Sequence, residues 1–125
     1  MINNKKVTDL PELLNKTVIA VKKTFGYGPM TKKDNDLTQY VYEYKNEILI
    51  FYSKAGRIIT FNYRRIFPNS AILKQTSMNY EKELLTAGFR YIKSSINKKT
   101  LIQKNIIVEI ILDKNNKNWL VLNGY

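Results

Sequence analysis

The chain contains neither cysteine nor histidine. Without cysteine there is no disulfide, no thiolate zinc ligand and no cysteine nucleophile. That fits a cytoplasmic protein, although many secreted bacterial proteins also do without cysteine. The missing histidine excludes more: the usual general base near neutral pH, the Ser-His-Asp triad, the HExxH zinc site and any histidine-based nuclease. Any chemistry falls to Lys, Arg, Tyr, Glu, Asp, Ser or Thr. No apolar run reaches the ~18 residues of a membrane span. The start, Met1-Ile2-Asn3-Asn4-Lys5-Lys6, lacks the apolar core of a signal peptide. No membrane partner is expected.

Acidic residues are scarce: 10 Asp and Glu stand against 21 Lys and Arg, a net charge of +11. Two stretches hold no acid at all. Ile48 to Tyr80 carries Lys54, Arg57, Arg64, Arg65 and Lys74, and Leu84 to Val108 carries Arg90, Lys93, Lys98, Lys99 and Lys104. The first 47 residues are nearly balanced, with eight basic and six acidic residues. A positive field concentrated in this way draws polyanions. The plainer reading is a solubilising surface in a Lys-rich proteome. Richness in Lys, Asn, Ile and Tyr reads as AT-rich coding, as in a low-GC bacterium or its mobile elements.

At 125 residues the chain has the length of one domain. A loose tail is expected over 1–7 and a single α+β domain over 8–125. Asp9 and Glu12 match a capping box, and Leu10, Leu13, Leu14, Val18, Val21 and Phe25 keep helical spacing. A helix from Asp9 to about Thr24 is expected, or a shorter one to Lys16 followed by a strand over Thr17–Val21. Gly26-Tyr27-Gly28-Pro29 breaks it, and Met30 to Asp36 reads as a polar loop. Strands follow over Thr38–Tyr44, Glu47–Ser53 and Ile58–Arg64, with a tight turn at Lys45-Asn46 and a left-handed Gly56 in the next. A second helix begins near Ser77 or Asn79 and ends in a Schellman turn at Gly88-Phe89, or else runs on to Ile96 with Gly88 inside it. Strands are then expected over Phe89–Ser95, Leu101–Leu112 and Trp119–Leu122, with a polar turn over Asp113–Asn118. The fold read from this is a twisted, largely antiparallel sheet of five to seven strands with two helices packed on one face. Glu12-Leu13-Leu14 and Lys22 align with Glu83-Leu84-Leu85 and Lys93 at a constant offset, a faint echo between two halves.

Tyr40, Tyr42 and Tyr44 share one strand face. Exposed, they make a platform for stacking bases; buried, they are core. The loop after Ser53 decides which. Four residues continue the face with Ile58, Thr60, Asn62 and Arg64; three continue it with Ile59, Phe61 and Tyr63, which is plainly core. Arg64-Arg65 stands out among only four arginines, since Arg forks onto phosphate. Lys98-Lys99 falls in an expected loop of the phosphate-contacting kind. Gly26-Tyr27-Gly28-Pro29 lacks the Lys-Ser/Thr of a P-loop. Asp34-Asn35-Asp36 lacks the spacing and distal Glu of a calcium loop. The signatures of RNA-recognition, helix-turn-helix, zinc-finger and KH domains are missing.

These features point to a small basic, non-catalytic module that binds nucleic acid or a nucleic-acid-containing complex. Arg57, Arg64, Arg65, Lys74, Arg90, Lys93, Lys98 and Lys99 would supply the charge and Tyr42 a stacking ring. No metal or cofactor is implied. The alternative is a protein-interaction module, such as a small inhibitor from a mobile element that docks on a nucleic-acid-processing enzyme. A third reading is a His-less, metal-independent ribonuclease built from Glu109, Arg64, Arg65 and Tyr63.

Overall fold

The computed structural model describes residues 4–113 and 118–125. Two 3-10 turns, Val7–Asp9 and Pro11–Leu13, lead into helix α1 (Val18–Phe25). Strands β1 (Met30–Asp34), β2 (Leu37–Tyr44), β3 (Glu47–Lys54) and β4 (Arg57–Ile66) follow. Helix α2 (Ser70–Thr86) opens the second half, with β5 (Arg90–Ser94), β6 (Lys98–Gln103), β7 (Ile106–Asp113) and β8 (Trp119–Gly124). The strands form one antiparallel sheet in the order β1-β2-β3-β4-β8-β7-β6-β5.

The α+β class and the antiparallel sheet agree with the sequence reading, but there are eight strands rather than five to seven. Two strands account for the difference. Met30 to Asp36 is not a loop: β1 pairs with β2, yet all five of its residues are exposed, so no apolar alternation marks it. Leu101 to Leu112 is not one strand: the chain reverses after Gln103, with Lys104 at φ 55, so β6 and β7 pair as a hairpin. Lys98 and Lys99 therefore open β6 instead of lying in a loop. The polar turn expected over 113–118 lies mostly outside the described residues. Both edge strands carry paired cations, Lys32 and Lys33 in β1 and Arg90 and Lys93 in β5, which discourages further strands from adding there.

Neither expectation for the first helix holds. Asp9 does not cap a helix through Glu12; it accepts the Lys6 amide at 2.8 Å as the third residue of a box that opens a 3-10 turn. The chain then leaves helical geometry at Asn15, φ 65. The Asn15 amide donates to Ile58 at 2.7 Å and the Ile58 amide donates to Lys16 at 2.9 Å, so residues 15–17 are held by β4 before α1 begins. Local spacing could not reveal that long-range pairing. Nor does the tail extend to Val7, which is 1% exposed and whose amide donates to Glu83 of α2.

Helix α2 starts at Ser70, well before Ser77. Asn69 caps it by accepting a hydrogen bond from the Ile72 amide at 2.9 Å. The expected end is present: Gly88 at φ 105, with the Phe89 amide donating to Leu84 and the Gly88 amide to Leu85. Both helices cover one face of the sheet. Beneath them lie Tyr42, Leu49, Phe51, Phe61, Tyr63, Leu101, Val108, Ile110, Leu120 and Leu122, all buried.

The halves repeat one plan, a helix followed by a four-stranded meander. Strand starts are offset by 60, 61 and 59 residues (Met30 to Arg90, Leu37 to Lys98, Glu47 to Ile106). The echo noted in the sequence runs at a different offset and aligns none of these elements, so the repeated plan comes from the structure and not from that echo.

Candidate interaction surface

Cross-strand partners share a face, so the register sorts every side chain. The helix side is core. The other side carries no helix among the described residues. Across it run Val41, Ile50, Asn62, Asn123, Glu109, Thr100 and Lys93, each paired with the next. A parallel row holds Glu43, Ile48, Arg64, Val121, Ile111 and Lys98. Tyr52, Ile102, Ile107 and Trp119 flank these rows. All the apolar members are half-buried by their neighbours alone.

Polar groups cross the middle of this face as a stripe. Arg64 Nε donates to Asn62 Oδ1 at 3.0 Å, and Asn62 Nδ2 donates to Asn123 Oδ1. Next to Asn123, Glu109 pairs with Lys98 at 2.9 Å, with 15% of its own side chain exposed. The contact with Glu109 raises the Lys98 pKa. Apolar flanks with a partnered polar centre give a surface that both excludes water and fixes orientation.

The candidate cations do not converge. Arg64, Arg90, Lys93 and Lys98 lie on the open face. Arg65 and Lys99 point to the helix side, and Lys74 is exposed on α2. Arg57 sits at the β3–β4 hairpin, where it donates to the Asn15 carbonyl at 3.3 Å. Each acid-free window is thus divided between the two faces. Arg64 and Arg65 cannot share one phosphate, because neighbouring strand residues point oppositely.

Tyr42 is not a stacking platform. It is 5% exposed, its hydroxyl donates to the Gly26 carbonyl at 2.7 Å, and its ring packs on Phe25 and Phe51. Burial, then the neighbouring Tyr44, pushes its pKa up to about 12. Neither loop length foreseen after Ser53 is found. Ala55-Gly56 makes a two-residue turn between Lys54 and Arg57, and a bulge at Ile59 restores the core register, so Ile58, Phe61 and Tyr63 are buried together.

The four groups considered for ribonuclease chemistry are split as well. Glu109 and Arg64 lie on the open face; Tyr63 and Arg65 lie beneath α2. There Tyr63 donates to Glu47, and Tyr80 joins them, its buried hydroxyl lacking a hydrogen-bond partner of good geometry among the described residues. Burial, Tyr80 and the bond to Glu47 hold the Tyr63 pKa far above its ordinary value. Burial opposes the charge of Arg65, but Tyr63, Tyr80 and Glu47 outweigh it and stabilise the guanidinium. Sequence reasoning missed this cluster, since Glu47, Tyr63 and Tyr80 meet only through β3–β4 pairing and the docking of α2. It also missed the open face as a unit, although the alternation of Ile48, Ile50 and Tyr52 against buried Leu49 and Phe51 was its signal.

No helix among the described residues is long and apolar enough to cross a membrane, and no cluster of acidic side chains there could hold a metal ion. No protein-family description matches the chain, and no curated protein matches it. Its structure is similar to the crystal structure of a cysteine-rich secretory protein from Staphylococcus aureus, at 16% identity and a TM-score of 0.56. The match covers 90% of this chain and 44% of the other, so the chain spans less than half the length of that neighbour. At this identity the likeness is one of fold, and the chain contributes none of the cysteines for which the neighbour is named.

Proposed function

We propose that the chain is a non-catalytic protein-interaction module that docks an acidic protein on the open face of its sheet. The observation that carries this reading is the half-buried apolar set Val41, Ile48, Ile50, Tyr52, Ile102, Ile107, Ile111, Trp119 and Val121, drawn from five strands of the helix-free face and lying on both sides of the polar stripe. An apolar surface this extended marks an interaction site. Seven of the nine are aliphatic, and aliphatic side chains neither pair with phosphate nor stack on bases, so they favour protein over nucleic acid. Charge selects the kind of protein. At +11 two copies repel each other, while an acidic partner is drawn in and meets Arg64, Lys93 and Arg90 around the apolar patch. The similar fold in a longer chain supports its reading as a module.

Nucleic acid is the second reading, favoured by those same open-face cations. A photo-crosslinking residue at Val121, with a control at Lys74 on the helix side, separates the two in an extract of the cells that make the protein. The expected result is an acidic protein crosslinked from Val121 and not from Lys74. Its purified complex should be lost on Ile50→Asp with Val121→Asp and kept on Lys74→Glu. Crosslinks to DNA or RNA alone, a homodimer in sedimentation, or an unchanged complex with the double variant would each overturn the proposal.

A further inference from the structure

A second concavity lies on the opposite side of the sheet, between α2 and the β5–β6 hairpin, with a volume of about 250 Å³. Its floor is Ile110 and Leu112 of β7, and one wall is α2 with Ser77 and Met78. The other wall is the hairpin segment that carries Ile96, held in place where the Leu112 amide donates to the Asn97 carbonyl at 2.8 Å. Met78 and Ile96 are 61% and 82% exposed, unusual for large apolar side chains beside an apolar floor.

Each wall also brings a cation to the mouth: Lys74 from α2 and Lys99 from β6. Neither makes an ion pair among the described residues; Lys99 donates to the Ser94 hydroxyl at 2.8 Å. Glu81, which also lines the cleft, is drawn toward β5, where it accepts a hydrogen bond from the Tyr91 hydroxyl at 2.6 Å. Ser77, only 3% exposed, places a hydroxyl among the apolar floor residues. An apolar floor with a few converging polar groups is the usual make-up of a small-ligand site.

We propose that this cleft binds a small organic anion with an apolar body, of the kind represented by a short-chain fatty carboxylate. The chain of such a ligand covers Ile110, Leu112, Met78 and Ile96, and its carboxylate lies between Lys74 and Lys99. Neither an inorganic anion nor a neutral alcohol satisfies both parts. The site is separate from the open face, so its failure would leave the docking proposal standing.

Hexanoate is the probe, titrated into the 15N-labelled full chain and followed by amide chemical shifts. Saturable shifts confined to Ser77, Met78, Ile96, Lys99 and Ile110 are expected. Acetate, inorganic phosphate and 1-hexanol should each bind at least tenfold more weakly. Lys74→Glu with Lys99→Glu, and separately Ile96→Asp, should each weaken hexanoate at least tenfold. These positions are exposed or at the rim, and an unchanged spectrum away from the cleft verifies that each variant is folded. Equal binding of phosphate or hexanol would overturn the proposal. So would scattered, unsaturable shifts, or an affinity unmoved by the charge reversal.

Discussion

The two halves share a plan and differ in how they are filled. In the first, α1 is an eight-residue helix whose Phe25 packs between Tyr42 and Phe51, with ring centroids 5.9 and 5.6 Å away. Lys22 lies over the Tyr40 ring, 5.9 Å from its centre, and seals the margin. In the second, α2 is a 17-residue helix that buries Leu73 and Leu84 over an aliphatic sheet and carries Tyr80 to Tyr63 and Arg65 of the first half. It sets Ser77 and Met78 where a large ring would close the gap, and a cleft stays open. A short helix bearing one large ring builds an aromatic cluster on its sheet; a long helix with small or flexible residues on one flank leaves room beside its sheet. Duplicated architecture thus yields concavities of different make-up, one between α1 and the 3-10 turns and one between α2 and the β5–β6 hairpin.

Core truncations give the sharpest measure of this difference. Phe51→Ala should cost about 4 kcal/mol, within the upper range for buried aromatics, because Phe25 and Tyr42 both lose the ring they pack on. Leu84→Ala in the second half should cost about 3 kcal/mol, since its neighbours can relax toward the cleft. Urea unfolding checks both, and a larger loss for Leu84→Ala would break the comparison.

The seam between the halves comes next. Gly124 of β8 faces Phe61 of β4, and a Cβ there would stand 1.9 Å from the Phe61 ring. Phe61 is 1% exposed and has nowhere to move, so Gly124→Ala should cost about 2 kcal/mol by overpacking. Because β4–β8 pairing joins the halves into one sheet, the loss should appear as a single shifted transition, whether followed by Trp119 fluorescence or by far-ultraviolet circular dichroism. Two separated transitions would show that the halves unfold independently.

The smallest effect concerns Tyr42 and pH. Its pKa rises from 10.0 to about 12 on folding. Between those values the unfolded chain loses the proton while the folded chain keeps it, so this tyrosine's contribution is complete below pH 10 and drains away as pH approaches about 12. Tyr42→Phe should remove that part of the alkaline loss. At neutral pH it should cost about 1 kcal/mol through the missing hydrogen bond to Gly26. A variant with the same alkaline slope as the parent would show that Tyr42 does not report on the first half's packing.

The sequence by itself determined the class and much of the grammar. Alternation placed β2 and β4 close to their observed bounds, because a half-buried strand must alternate; β3 was placed by an apolar run on both faces, read as covered on both sides, whereas only its Leu49, Phe51 and Ser53 face is buried. Gly88-Phe89 ended α2 as read, because a Schellman turn is local chemistry. The face of Ile107, Glu109 and Ile111 was separated from that of Val108 and Ile110 by the same period. The absence of histidine and cysteine, and the net charge, narrowed the chemistry before any coordinate.

Tertiary structure decided what depends on distant partners. The first helix yielded to pairing between residues 15–17 and β4. Strand β1 exists because β2 offers it hydrogen bonds, although none of its side chains is buried. The bulge at Ile59 set which residues follow the tyrosine stripe into the core, and so removed Tyr42 from any binding surface. The charge that looked concentrated along the chain is divided in space, since consecutive strand residues point to opposite faces. Charge count and alternation are local properties; which face stays uncovered is settled only when both helices dock on the same side.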